Sequence, residues 1–217
     1  MENVATQSHI PESYLEHREV FSEPWVDRWI IPNPFIAMLF GVLRTNGVEL
    51  TDFSFNKDAT SVGENYLNIS IRRLNAAVRI GLDTVTFIAA NPDWGMAPQL
   101  VSIFDRVSGS IRETLKISPK WQETTLAFHV TPGTADFRAS TAPLVNTNLL
   151  GEALFYGVSL HRPDSVLIID KSLRHEGAAF VRLQRKLPGD ARFSDVAARI
   201  YEDEVSALHL LGIAGVP

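Results

Sequence analysis

Histidine, arginine and carboxylate side chains are the groups that could carry chemistry in this chain, and their spacing decides which chemistry. His175-Glu176 lies in a polar turn before Gly177. Neighbours on an extended backbone point to opposite sides, so the pair is read as a solvated turn rather than a metal-binding pair. Glu202-Asp203-Glu204 sets three carboxylates in succession on a helical stretch, fanned too widely for one ion, and reads as a solvated helix face. Asp93-Trp94-Gly95 is explained by turn chemistry, and nothing compels a role for Asp136-Phe137-Arg138. The chain has no glycine-rich phosphate loop with its lysine, no G-x-G-x-x-G after a strand, no H-E-x-x-H, no calcium loop and no G-x-S-x-G elbow. With no cysteine, thiolate metal sites, disulfides and a cysteine nucleophile are excluded. No catalytic residue, metal ligand or cofactor is therefore assigned, and the chain reads more as a binding protein than as an enzyme.

One polar constellation stands out. Alternation places Asn68, Arg72, Arg79, Thr86, His129, Ser159, His161, Arg182 and Gln184 opposite the apolar positions of their strands. Arginine offers paired planar donors to carboxylates and phosphates, so Arg72, Arg79, Arg182, His129 and His161 are the candidate ligand or anion-binding residues. An ordinary solvated sheet face is the simpler alternative. The formal charge of −5 argues against nonspecific nucleic-acid binding.

These side chains need a scaffold, and the pattern of the chain supplies one. Leu67, Ile69 and Ile71 alternate with Asn68 and Ser70; Val78 and Ile80 flank Arg79; Val85, Phe87 and Ala89 alternate with Thr84 and Thr86. From Pro98 the interval lengthens to Leu100, Phe104, Val107, Ile111 and Leu115, a helix with one buried stripe, which Ser118-Pro119 stops. Strand character returns over Trp121–Val130, and a long loop is expected over Ala135–Asn148. Further strands are expected over Leu154–Leu160, Val166–Ile169 and Ala179–Leu187, the first two joined by a turn at Arg162-Pro163-Asp164. A last helix, capped by Ser194, carries Val196, Ile200, Ala207, Leu208 and Leu211 and ends at Gly212. The expected class is α+β: a curved, mainly antiparallel sheet with two long helices on one face. Strands followed by a helix occur twice, in residues 34–118 and 121–213, which suggests a duplicated unit.

Residues 1–20 are polar and irregular and are expected as a flexible arm ahead of a single domain over residues 21–217. Trp25 and Trp29 would share a face of a short helix after Pro24 that packs against this domain. Phe35 to Leu43 is apolar at every alternate position on both sides. Because Asn46-Gly47 favours a tight hairpin turn, the stretch is read as a buried strand returning through Val48, Leu50, Phe53 and Phe55. A strand apolar on both sides must be covered on both sides, so Phe35, Met38, Phe40 and Val42 are the candidate interaction surface.

At 217 residues, with 45% hydrophobic and 21% charged residues, the chain is of globular composition. It shows neither a secretory leader nor a run long enough to span a membrane, and a soluble cytoplasmic protein is expected. Three functions are weighed: a non-catalytic interaction or assembly module that self-associates, a small-ligand carrier or sensor with a pocket lined by Phe87, Phe104, Phe128 and Tyr156, and an enzyme of unrecognised type. The first is preferred, because doubly apolar segments and open strand edges are what such modules present.

Overall fold

Alternating side chains build a 9-stranded sheet whose order is β2-β3-β4-β5-β1-β6-β9-β8-β7. The computed structural model describes residues 9–25, 33–56, 65–131 and 157–211. The strands are β1 (His9–Phe21), β2 (Phe53–Phe55), β3 (Leu67–Ile71), β4 (Ala76–Ile80), β5 (Thr84–Ala90), β6 (Pro119–Thr131), β7 (Val158–His161), β8 (Ser165–Lys171) and β9 (Ala179–Pro188). The helices are α1 (Asn33–Leu43), α2 (Ala97–Leu115) and α3 (Phe193–Leu210). The α+β class with a large antiparallel sheet and long helices is as expected, with α1 as a third helix.

The strand order reads alike from both ends. β3, β4 and β5 form a meander whose last strand lies beside β1; β7, β8 and β9 form another whose last strand lies beside β6. Each meander leads into a long helix. The repeated pattern is thus present in the connectivity, and its first copy includes β1, ahead of the expected start at residue 34.

The chain clusters into two compact units, Tyr14–Thr124 with Lys186–Ala198, and Met1–Ser13 with Thr125–Arg185 and Arg199–Pro217. In the first unit, Leu67, Ile69, Ile71, Val78, Ile80, Val85, Phe87 and Ala89 are buried together with Leu100, Ile103, Phe104, Val107 and Ile111 of α2. Each such large side chain contributes about 1.5–3 kcal/mol. Phe87 and Phe104 meet with ring centroids 4.5 Å apart, and Phe193 meets Phe104 edge-on at 5.1 Å. Lys116, at φ +54°, closes α2 in the left-handed conformation. α3 starts at Phe193, two residues earlier than a Ser194 cap would place it, because the Phe193 N–H donates to Asp105 Oδ1 at 3.0 Å and this carboxylate takes the capping role expected of Ser194.

Three expectations are corrected. Residues 9–20, expected within a flexible arm, belong to strand β1, paired antiparallel with β5 from Tyr14 to Val20. Its inward positions are Ser13, Leu15, His17, Glu19 and Phe21, and three polar residues among five hide the apolar alternation. Phe35–Leu43 is helix α1 and not a strand: Phe35, Leu39 and Leu43, four residues apart, are the buried stripe. Asn46-Gly47 closes a 3₁₀ turn after α1 instead of a hairpin. Gly47 holds the expected positive φ, +79°, while its N–H donates to the Arg44 carbonyl. Only Phe53–Phe55 of the expected returning strand is extended, because Leu50–Asp52 forms another 3₁₀ turn fixed by a Glu49/Asp52 capping box.

In the second unit, β8 bridges β7 and β9, with Leu160, Leu167 and Leu183 in one register row. The stripe Ile200, Ala207, Leu208 and Leu211 of α3 is buried as expected. Arg185 of β9 makes a bidentate pair with Asp203 of α3, at 2.8 and 2.6 Å. Trp29, residues 135–148 where a loop is expected, Leu154, Tyr156 and Gly212 lie outside the described residues.

Candidate functional site

The candidate interaction surface rests on α1, a helix with no charged residue from Asn33 to Leu43. Its inner stripe of Phe35, Leu39 and Leu43 is buried to 7%, 0% and 0% exposure, so Phe35 belongs to the core. Ile36, Met38, Phe40 and Val42 are half-buried, and Ala37 and Gly41, one turn apart, are exposed. Phe40 is held on Phe53 with ring centroids 6.2 Å apart, and the Val42 carbonyl accepts from the Arg106 guanidinium at 3.0 Å. Leu50 and Phe55 just beyond are 61% and 37% exposed. A helix apolar on all sides normally has all sides covered. Here one stripe is buried, its flanks are half-buried, and Ala37 and Gly41 are left exposed.

The candidate anion-binding residues are distributed over both units, and each has local company. Arg79 falls in a row across five strands, Ser54–Asn68–Arg79–Thr86–Arg18, and its guanidinium lies 5.6 Å from the centre of the Tyr66 ring. Arg72 stands apart from that row, in the 3₁₀ turn after β3, paired with Asp52 at 2.9 Å. Along the same strand face, the Tyr14 hydroxyl donates to Glu16 at 2.5 Å, and burial beside that carboxylate pushes its pKa up to about 12. In the second unit, His161 Nε2 lies 2.7 Å from Ser159 Oγ, and Arg182 donates to Gln184 at 3.2 Å. Arg72 and Arg79 thus lie in the first unit, and His129, His161 and Arg182 in the second.

His129 belongs to a group the sequence does not advertise. Glu12 of β1 pairs with Arg174 and with His175 Nε2 at 3.3 Å, and its Oε2 is 4.0 Å from His129 Nε2. His129 also meets the His175 and Phe180 rings at 5.0 and 5.1 Å. Hydrogen bonding from His175 and the nearby positive charges hold the Glu12 carboxyl below its ordinary range, while burial lowers His129. Ser172 Oγ accepts the N–H groups of Arg174 and His175 at 3.2 and 2.8 Å and lies 2.9 Å from His129 Nδ1. With both lone pairs taken, its proton goes to Nδ1, which leaves the imidazole proton on Nε2, facing Glu12. Serine, histidine and carboxylate are thus aligned, yet Ser172 is 3% exposed and occupied in fixing the turn, so the set organises the β8–β9 connection rather than presenting a nucleophile. Among the described residues no three His, Cys, Asp or Glu side chains are arranged to hold a metal ion.

Three of the aromatic residues weighed as a pocket lining are buried. Phe87, Phe104 and Phe128 are each exposed by 1% or less. A pocket of about 140 Å³ does lie by the start of α2, lined among others by Arg72, Arg73, Asn75, Asn91 and Met96. Drug-sized ligands occupy roughly 300–1,000 Å³. Among the described residues no helix is long and apolar enough to cross a membrane. Comparison of the sequence with protein-family models and with curated proteins found no match in either.

Proposed function

We propose that this protein is a non-catalytic assembly module that binds a second copy of itself through α1. The observation that supports this is the uncharged helix whose Ala37 and Gly41 lie exposed while only every fourth residue enters the core. Two small residues one turn apart let another helix approach closely, and apart from the flanking residues and the helix's own backbone nothing lies within 4 Å of where a Cβ at Gly41 would stand. A second α1 is the matching partner, since a two-fold contact sets one patch against itself and the apolar flanks Met38, Phe40 and Val42 against their equivalents. The cytoplasmic location expected from the sequence goes with this reading.

The test is Ala37→Arg. Because residue 37 is exposed, the change leaves the folded chain intact and sets a bulky charge where the helices would meet. The dissociation constant of the α1 contact should rise at least roughly a hundredfold. Unchanged association in sedimentation experiments, with a normal circular dichroism spectrum, would refute the α1 contact.

A further inference from the structure

We infer that β7 forms a second, separate self-association edge, pairing antiparallel with β7 of another copy about a two-fold axis at Leu160. Among the described residues β7 ends the sheet, and its Ser159, Leu160 and His161 are exposed. Edge strands are usually blunted by lysine, proline or a bulge. Val158–His161 carries neither residue type.

The ladder shows which edge groups β8 leaves unused. Arg162 and Ser165 exchange both backbone bonds, Arg162 N–H to Ser165 O at 2.8 Å and the return at 3.4 Å. Hydrogen-bonded and non-bonded pairs alternate along an antiparallel ladder. In the observed register Leu160↔Leu167 is then a bonded pair, while Ser159↔Ile168 and His161↔Val166 are not. Leu160 thus spends its N–H and C=O on β8, and those of Ser159 and His161 point out of the sheet.

Set against itself with Leu160 opposite Leu160 of the second copy, this edge is self-complementary. Ser159 of each chain faces His161 of the other, and each pair exchanges both of its outward bonds. Leu160, which is 52% exposed, then meets its equivalent as the closer, non-bonded pair. The leucine row from Leu183 through Leu167 to Leu160 continues into the same row of the second copy, which buries apolar surface that one chain leaves half-covered. The opposite sheet face joins Ser159 and His161 side chains, already hydrogen-bonding partners within one strand.

This contact is independent of α1, and together the two carry assembly beyond a dimer. Sedimentation equilibrium on the full chain separates them. Ala37→Arg should leave a dimer held by β7, and adding Ser159→Pro should yield single chains. Proline there removes an outward N–H that β8 does not use, as edge strands tolerate. If the proline unsettles the hairpin, Leu160→Lys at the exposed centre serves in its place and should raise the dissociation constant at least roughly tenfold. Amide exchange gives a second readout: Ser159 and His161 amides should slow as protein concentration rises. A single-chain mass for Ala37→Arg alone would overturn the β7 contact and leave α1 standing. A dimer that survives both β7 substitutions, or fast exchange at those amides at every concentration, would also overturn it.

Discussion

Acidification should destabilise this protein through His17, by an amount the structure sets. His17 points inward from β1 and is fully buried. It is stacked near Phe87 at 6.1 Å and meets Phe193 edge-on at 5.0 Å. Its Nδ1 lies 2.8 Å from Thr124 Oγ1. Burial, with the nearby Arg112 charge, outweighs the effect of the Gln122 side chain, which favours the charged ring, and brings the imidazole down from 6.5 to about 4. Well above pH 6.5 the ring is neutral in both folded and unfolded chains and contributes no pH dependence. Below that the unfolded chain takes the proton first, so stability falls as pH drops and levels off below about 4. A shift of this size corresponds to about 3 kcal/mol, lost at close to 1.4 kcal/mol per pH unit over the steep part. Glu12, held low, and His129, lowered by burial, also lose stability on acidification, so the contribution of His17 is read as a difference. Urea unfolding of wild type and His17→Gln between pH 7.5 and pH 4.5 supplies it. The variant should start less stable and show the shallower pH slope. Parallel slopes, or an imidazole that titrates near 6.5 by NMR in the folded protein, would show that His17 is not sealed as described.

Two further changes probe the first unit. Glu19 is 2% exposed at its side chain and receives the Ser108 hydroxyl at 2.8 Å together with the Arg112 guanidinium. Arg112→Ala strands that carboxylate and should cost about 3–5 kcal/mol, whereas Glu19→Leu with Arg112→Leu should recover much of the loss, as chemical denaturation would show. A Cβ at Gly189 would stand 1.8 Å from the Pro119 carbonyl oxygen, so Gly189→Ala forces the backbone apart. It should cost about 3 kcal/mol and lower Tm by roughly 5–10 °C in a thermal scan, and an unchanged Tm would contradict that close approach.

What was legible in the sequence follows from which residues face the core. β3, β4, β5 and α2 carry aliphatic residues at nearly every inward position, so period and burial coincide, as at Leu67, Ile69 and Ile71. β1 defeated the same reasoning because His17 Nδ1 and Glu19 Oε1 find their partners in Thr124, Ser108 and Arg112, roughly a hundred residues away, while among the described residues His17 Nε2 and Glu19 Oε2 stay buried without a hydrogen bond. α1 was misread because an apolar run has no period to measure, and Asn46-Gly47 serves a helix end as well as a hairpin. The Glu12 group was hidden for the same reason as β1: Arg174 and His175 look like a solvated turn until β1 brings a carboxylate to them. Of the arginines expected on the polar face, Arg79 is in a continuous row with Asn68 and Thr86, while Arg72 falls one residue past the end of β3.

Self-association through α1 is tested most directly by the mass of the native particle, for wild type and Ala37→Arg side by side. Sedimentation equilibrium or gentle native mass spectrometry should give wild type a multiple of the 24.1 kDa chain, and the variant a smaller multiple at the same concentration. A wild-type particle of one chain, or a variant that assembles as wild type does, would contradict it.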